Sequence, residues 1–106
     1  MPVILVGDFN SRVDGTGTET YGNLIEAGFE DAWSATHPGE LGNTWGHDAD
    51  LLNTTVNLTQ RLDLVLFRSN LCALDADVVG DELSDRTPSG LWPSDHAGVV
   101  GTLRRE

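Results

Sequence analysis

Hydrophobic and polar positions divide the chain into short apolar runs set between longer polar stretches. Val3-Ile4-Leu5-Val6 is aliphatic without alternation, the pattern of a strand buried on both faces, and Gly7 ends it. A polar turn containing Asp14-Gly15-Thr16-Gly17 follows. Beyond it Tyr21, Leu24, Ile25 and Phe29 recur three and four apart, which predicts a helix from Thr18 that closes near Gly28. The stretch from Ala32 to Gln60 is rich in Gly, Asn, Thr and Asp, with Trp33, Trp45 and Leu51-Leu52 as its strong apolar anchors. It reads as a long excursion with one short strand near Thr44-Trp45, and such excursions often form functional rims. Leu62 to Phe67 is a second buried strand, interrupted by Asp63. Leu74, Ala76 and Val78 alternate with Asp75 and Asp77 in a third strand that ends at Val79. The polar segment Asp81 to Gly90 leads to Trp92-Pro93-Ser94-Asp95-His96, and Ala97 to Leu103 forms a final strand. There is no internal repeat and no low-complexity linker.

Size bounds this pattern to one domain: a chain of 106 residues buries roughly 65% of the surface its unfolded form exposes, enough for a small mixed core. Composition adds a strong charge asymmetry, with 17 acidic against 6 basic residues and a formal net charge of −11. Every basic residue is an arginine. Such a surface repels a phosphate backbone, disfavours tight non-specific binding of duplex nucleic acid and attracts divalent cations. A salty habitat or a GC-rich genome would leave the same Asp-rich, Lys-free composition. Cys72 is the only cysteine, so no internal disulfide forms, and a free buried thiol is expected. Asn53-Thr54-Thr55 and Asn57-Leu58-Thr59 match the short and common glycosylation pattern. No stretch approaches the ~20 apolar residues of a membrane span. The first residues also lack the basic start of a signal peptide, so a soluble chain is expected.

The candidate chemistry lies where polar residues break apolar runs. Successive strand side chains alternate, so Asp8 and Asn10 share a side while Phe9 turns into the core. Gly7 removes bulk where a ligand or another backbone comes close. A carboxylate and an amide at one strand end either hold a water or a phosphate oxygen, or form an ordinary Asp/Asn turn. Asp63 is sharper, because a carboxylate inside an apolar strand needs a partner: a histidine, an arginine such as Arg61, or a set of donors. An aspartate that fixes the tautomer of a catalytic histidine has this environment. Asp95 and His96 can divide labour at a strand entrance, one positioning a metal and the other donating to a developing phosphorane oxygen. His47-Asp48-Ala49-Asp50 is either a metal cluster or a solvated loop. Trp92 either lines a substrate mouth or anchors packing, and His37 reads as a surface residue.

Gly7-Asp8-Phe9-Asn10, then Arg61-Leu62-Asp63-Leu64, then Ser94-Asp95-His96 before a Val-rich strand resembles the C-terminal half of the endonuclease/exonuclease/phosphatase superfamily, the deoxyribonuclease I-like fold. The resemblance spans residues 3 to about 103 and treats residues 1–106 as a single partial domain. It implies an α/β (α+β) class: half of a four-layer sandwich, with one mainly antiparallel sheet and a helix packed on it. It further implies phosphoester hydrolysis supported by Mg²⁺ or Mn²⁺. Asp8 then activates or positions the nucleophilic water, and Asn10 orients phosphate or metal. Asp63 orients a histidine, Asp95 is linked to the metal, and His96 stabilises the phosphate. Asp8, Asn10 and Asp95 are the implied metal residues. The family's N-terminal half supplies a metal-ligand glutamate with no counterpart before Met1, and Glu19, Glu26 and Glu30 lie on or just beyond the helix. Little or no activity is therefore expected from this stretch by itself. The acidic surface favours a small phosphoester, a lipid headgroup or a single strand over duplex DNA. The alternative is a non-catalytic assembly or binding domain whose uncovered sheet face is closed by a homodimer.

Overall fold

The computed structural model describes residues 1–106. Its elements are β1 (Val3–Asp8), α1 (Thr20–Glu26), β2 (Glu30–Asp31), α2 (Ala32–Thr36), β3 (Asp63–Arg68), β4 (Leu71–Val79) and β5 (Gly98–Arg105), with a 3₁₀ turn at Leu83–Asp85. All pairing is antiparallel and falls into two ladders, a three-stranded one ordered β1-β3-β2 and the β4-β5 hairpin. The mixed, antiparallel class expected from the sequence is therefore the class observed. No helix is long and apolar enough to cross a membrane.

β3 is the spine, and its alternation serves two cores. Leu64 and Leu66 face Phe29, with Val3, Leu5, Phe9, Tyr21 and Leu24 packed around them. Val65 and Phe67 face Ala32, with Leu71, Ala73, Val99 and Leu103 around them. A strand apolar at every position from Leu64 to Phe67 has this double burial as its physical basis.

β1 differs from its expected double burial. It lies at the edge of its ladder, and Ile4 and Val6 are 53% and 68% exposed. Both border a groove of about 600 Å³ that runs over Val65 to Val99 and Val100 of β5. Only the Val3 and Leu5 side is packed, because α1 covers that face alone.

The helix expected from Thr18 is shorter, Thr20–Glu26, but it closes as anticipated at Gly28. Gly28 adopts φ +94°, its N–H donates to Ile25 O at 3.0 Å, and Phe29 N–H donates to Leu24 O at 3.1 Å. This is the Schellman closure with its apolar contact between Leu24 and Phe29. The long excursion contains a helix that periodicity could not reveal, since α2 has five residues. Its start is set by Asp31, whose carboxylate accepts from Trp33 N–H and Ser34 N–H and also pairs with Arg61 at 2.7 Å. The short strand expected near Thr44-Trp45 is a pair of single bridges, from Trp45 to Gln60 and to His96. β4 begins earlier than expected, and a register shift between Ala73 and Asp75 turns Leu74 outward, to 53% exposure.

Candidate active site

The antiparallel register of β1 and β3 sets Asp8 directly opposite Asp63, and cross-strand partners point to the same face. Beyond Asp8 the chain turns sharply. Asn10 takes φ +47° and its N–H donates to Asp8 Oδ1 at 2.8 Å, a turn that asparagine tolerates. Phe9 N–H still donates to Leu62 O at 3.0 Å, so the turn is held to β3. Ser11, buried behind it, accepts from Tyr21 N–H at 3.0 Å and ties the strand end to the start of α1.

His96 arrives from the other ladder through a side-to-side stitch. Ala97 N–H donates to Thr44 O at 2.6 Å, and Thr44 N–H and Trp45 N–H donate to Gln60 O at 2.8 and 3.0 Å. Thr44 is fully buried, and its Oγ1 accepts from both Leu62 N–H and Asp63 N–H at 3.1 Å. One hydroxyl thus fixes the residue before β3 and the first residue of β3. Gly46 is required in this stitch, because a Cβ there would lie 2.4 Å from Asn57 O and its φ is +142°.

The result is a row of three side chains. His96 Nδ1 lies 2.7 Å from Asp63 Oδ2, and His96 Nε2 faces Asp8 Oδ2 at 3.7 Å. An ionised carboxylate only accepts, so Nδ1 carries the proton of the short contact. The Nε2 edge is left without a direct bond and open to a ligand. Burial alone would lower the pKa of His96. The hydrogen bond to Asp63 and the charges of Asp63, Asp8 and Asp95 outweigh it and raise the pKa above the usual histidine value.

Asp8, Asp63 and His96 therefore converge, with one potential ligand atom from each lying within 4.8 Å of the others. Asn10 stands on the adjoining turn. Asp95 is exposed, does not join the three, and accepts from Ser94 Oγ at 3.4 Å, while its charge reaches His96. Asp63 takes the histidine of the alternatives open to it, since Arg61 is committed to Asp31. Trp92 is a packing anchor away from any mouth: it is 1% exposed, stacks on His47 at 3.8 Å and donates from Nε1 to Asn53 O. His47 is buried with Nδ1 3.0 Å from Asn53 Nδ2, whereas Asp48, Ala49 and Asp50 are exposed, so the segment is a solvated loop anchored by its histidine and does not gather a metal cluster. His37 is half-buried against Trp33, with ring centroids 4.0 Å apart. Cys72 is half-buried instead of enclosed. Asn53, buried and bonded, leaves no room for a glycan in the folded chain. The residue that sequence reasoning missed is Thr44, whose only signal was its place beside Trp45 in the short strand expected there.

The donor set fits a hard divalent cation, because it consists of carboxylate and amide oxygens beside a histidine already engaged by Asp63. Asp8 keeps Oδ2 free of the Asn10 turn, and the Asn10 side-chain amide has no intramolecular hydrogen bond.

Compared with known families, residues 1–96 match the model described as the Endonuclease/Exonuclease/phosphatase family, whose members generally hydrolyse phosphoesters and generally use divalent metals. No curated protein matches the chain.

Proposed function

Because the chain belongs to the endonuclease/exonuclease/phosphatase family, we propose that its clustered strand ends serve divalent-metal-dependent phosphoester hydrolysis. The observation that carries this reading is the Asp63–His96 contact at 2.7 Å, which aims Nε2 at Asp8. Water attacks phosphorus while Asp8 Oδ2 accepts its proton, and the bond from phosphorus to the leaving oxygen breaks. The leaving oxygen takes its proton from solvent. His96 Nε2–H donates to a non-bridging oxygen as negative charge grows there. Asp63 holds Nδ1–H and, with the charges of Asp8 and Asp95, favours the doubly protonated ring, which is the form that carries Nε2–H. Asn10 orients the phosphate through its amide. Mg²⁺ or Mn²⁺ held by Asp8 and Asn10, with the charge of Asp95 nearby, would supply Lewis acidity at the phosphoryl oxygen.

The net charge of −11 favours a small phosphoester, a lipid headgroup or a single strand over duplex DNA. Hydrolysis of bis(4-nitrophenyl) phosphate tests the reading. The divalent-dependent rate, low as it is expected to be for this stretch by itself, should fall about 10²-fold or more in His96→Ala. A rate that survives this substitution would overturn the assignment. Mn²⁺ binding, followed by water-proton relaxation, is expected to weaken in Asp8→Asn.

The groove bordered by exposed Ile4, Val6 and Val100 favours a second reading, assembly. In it a second copy of the chain covers the open face, and the fold is retained without catalysis. Absence of any divalent effect on rate or binding, together with a stable dimer, would favour it.

A further inference from the structure

Beside the three-residue row lies a second cavity of about 440 Å³, bordered by Asn10, Arg12, Thr18, Trp45, Gln60 and Leu62. This volume lies within the range of small-molecule sites. It adjoins the row at two points, since Asn10 follows Asp8 on the same turn and Trp45 is bridged to His96. Its polar groups are largely unspent. Trp33 Nε1 donates to Glu40 O and Trp92 Nε1 donates to Asn53 O, but Trp45 Nε1–H has no acceptor in the protein. The Gln60 side-chain amide has no intramolecular partner either, its backbone alone being used in the stitch. Arg12 makes a single hydrogen bond, at 3.5 Å to Thr16 Oγ1, and no salt bridge, although its charge reaches Asp14.

Arg12 is the one cation at this cavity. Arg61 is buried against Asp31, Arg68 lies over Phe29, Arg86 closes the 3₁₀ turn at Leu83–Asp85, and Arg104 and Arg105 stand at the far end of β5 from His96. In a chain of net charge −11, an unpaired guanidinium beside the phosphate-handling turn recruits a second anionic group. Trp45 presents an aromatic surface with an N–H donor, and Gln60 presents one donor and one acceptor. That combination matches a planar base with a hydrogen-bonding edge. A cationic headgroup would be repelled by Arg12.

Resting on the phosphoesterase reading, we propose that this cavity is a nucleotide subsite. An unpaired base lies against Trp45 and is read by Gln60, and its phosphate is held by Arg12, one unit away from the scissile phosphate.

The test is binding to the full chain in EDTA, where turnover plays no part. Adenosine 5′-monophosphate is titrated while the three indole Nε1–H resonances are followed by NMR. The Trp45 resonance is expected to shift saturably while those of Trp33 and Trp92 stay in place. Ribose 5-phosphate, which lacks the base, should bind about 10-fold more weakly. Phosphocholine should not compete. Arg12→Gln, at an exposed position, should weaken the mononucleotide about 10-fold with the unliganded spectrum otherwise retained. Equal binding of adenosine monophosphate and ribose 5-phosphate, competition by phosphocholine, or no shift at Trp45 would overturn the subsite. Hydrolysis of bis(4-nitrophenyl) phosphate could still stand in that case. Loss of hydrolysis with nucleotide binding intact would instead strike the catalytic reading alone. Tighter binding of a hexadeoxyadenylate than of the mononucleotide would place the subsite along a single strand, and the reverse would assign it to free nucleotides.

Discussion

Asp63 and His96 meet at 2.7 Å, and that contact sets the charge the imidazole carries. The folded pKa of His96 is raised while the unfolded chain titrates near the usual value of about 6.5. The pairing therefore stabilises the fold fully below that value and ceases to do so as pH rises through the higher folded pKa. In metal-free protein the His96 ring resonances are expected to titrate above the ordinary histidine midpoint, and Asp63→Asn should bring the midpoint down. An unchanged midpoint would mean that Asp63 does not hold the proton. Thr44 acts one step behind, since its hydroxyl satisfies two backbone N–H groups that no strand reaches. Thr44→Val preserves the shape and orphans both donors, each worth about 1–3 kcal/mol when buried. Chemical denaturation is expected to show a loss within that range or above it, and the His96 midpoint should drift toward normal as Asp63 loosens. Both aspartates of the row stood out in the sequence as polar breaks in apolar runs. Thr44 did not, because a threonine within a polar excursion carries no periodic signal.

At the level of elements, the site depends on contacts between segments distant in sequence. Asp31 caps α2, accepts from Tyr21 Oη at 2.8 Å and pairs with Arg61, so it joins the α1 region, α2 and the approach to β3. Removing one partner of a buried ion pair strands the other charge. Asp31→Ala is expected to cost about 3–5 kcal/mol, measured by urea unfolding. A loss below about 1 kcal/mol would mean that Arg61 finds another acceptor or water. The strands themselves were readable from apolar runs, β3 most clearly, because double burial removes the need for alternation. The helix lengths and β1's open side were not readable. A short helix such as α2 shows no period, and whether an aliphatic strand is covered on one face or two depends on what packs against it.

For the molecule as a whole, the open groove and the net charge act in opposite directions. Apolar Ile4, Val6 and Val100 favour a cover, whereas two copies each carrying −11 repel. If a second copy closes the face, the dimer fraction in light scattering should rise with ionic strength as screening weakens the repulsion. Val6→Glu should shift it toward monomer. At 68% exposure this side chain contributes little to the monomer's own core, so the fold should be retained. A monomer at all salt concentrations, unaffected by Val6→Glu, would exclude the second copy as the cover.

The sequence by itself determined the antiparallel mixed class, the spine strand, the closure at Gly28, and the polar residues worth attention: Asp8, Asn10, Asp63, Asp95 and His96. These are local consequences of patterning and of the expense of placing a carboxylate among apolar neighbours. Only the tertiary structure decided which of them meet. Register sets Asp8 opposite Asp63, and the Thr44–Trp45 stitch carries His96 across to both, leaving Asp95 outside the contact row. Asp63's choice of His96 over Arg61 follows from the same cause, since Asp31, thirty residues away from Arg61, had already taken the arginine. Partner choice is a property of chain segments brought together in space, and no spacing along the sequence encodes it.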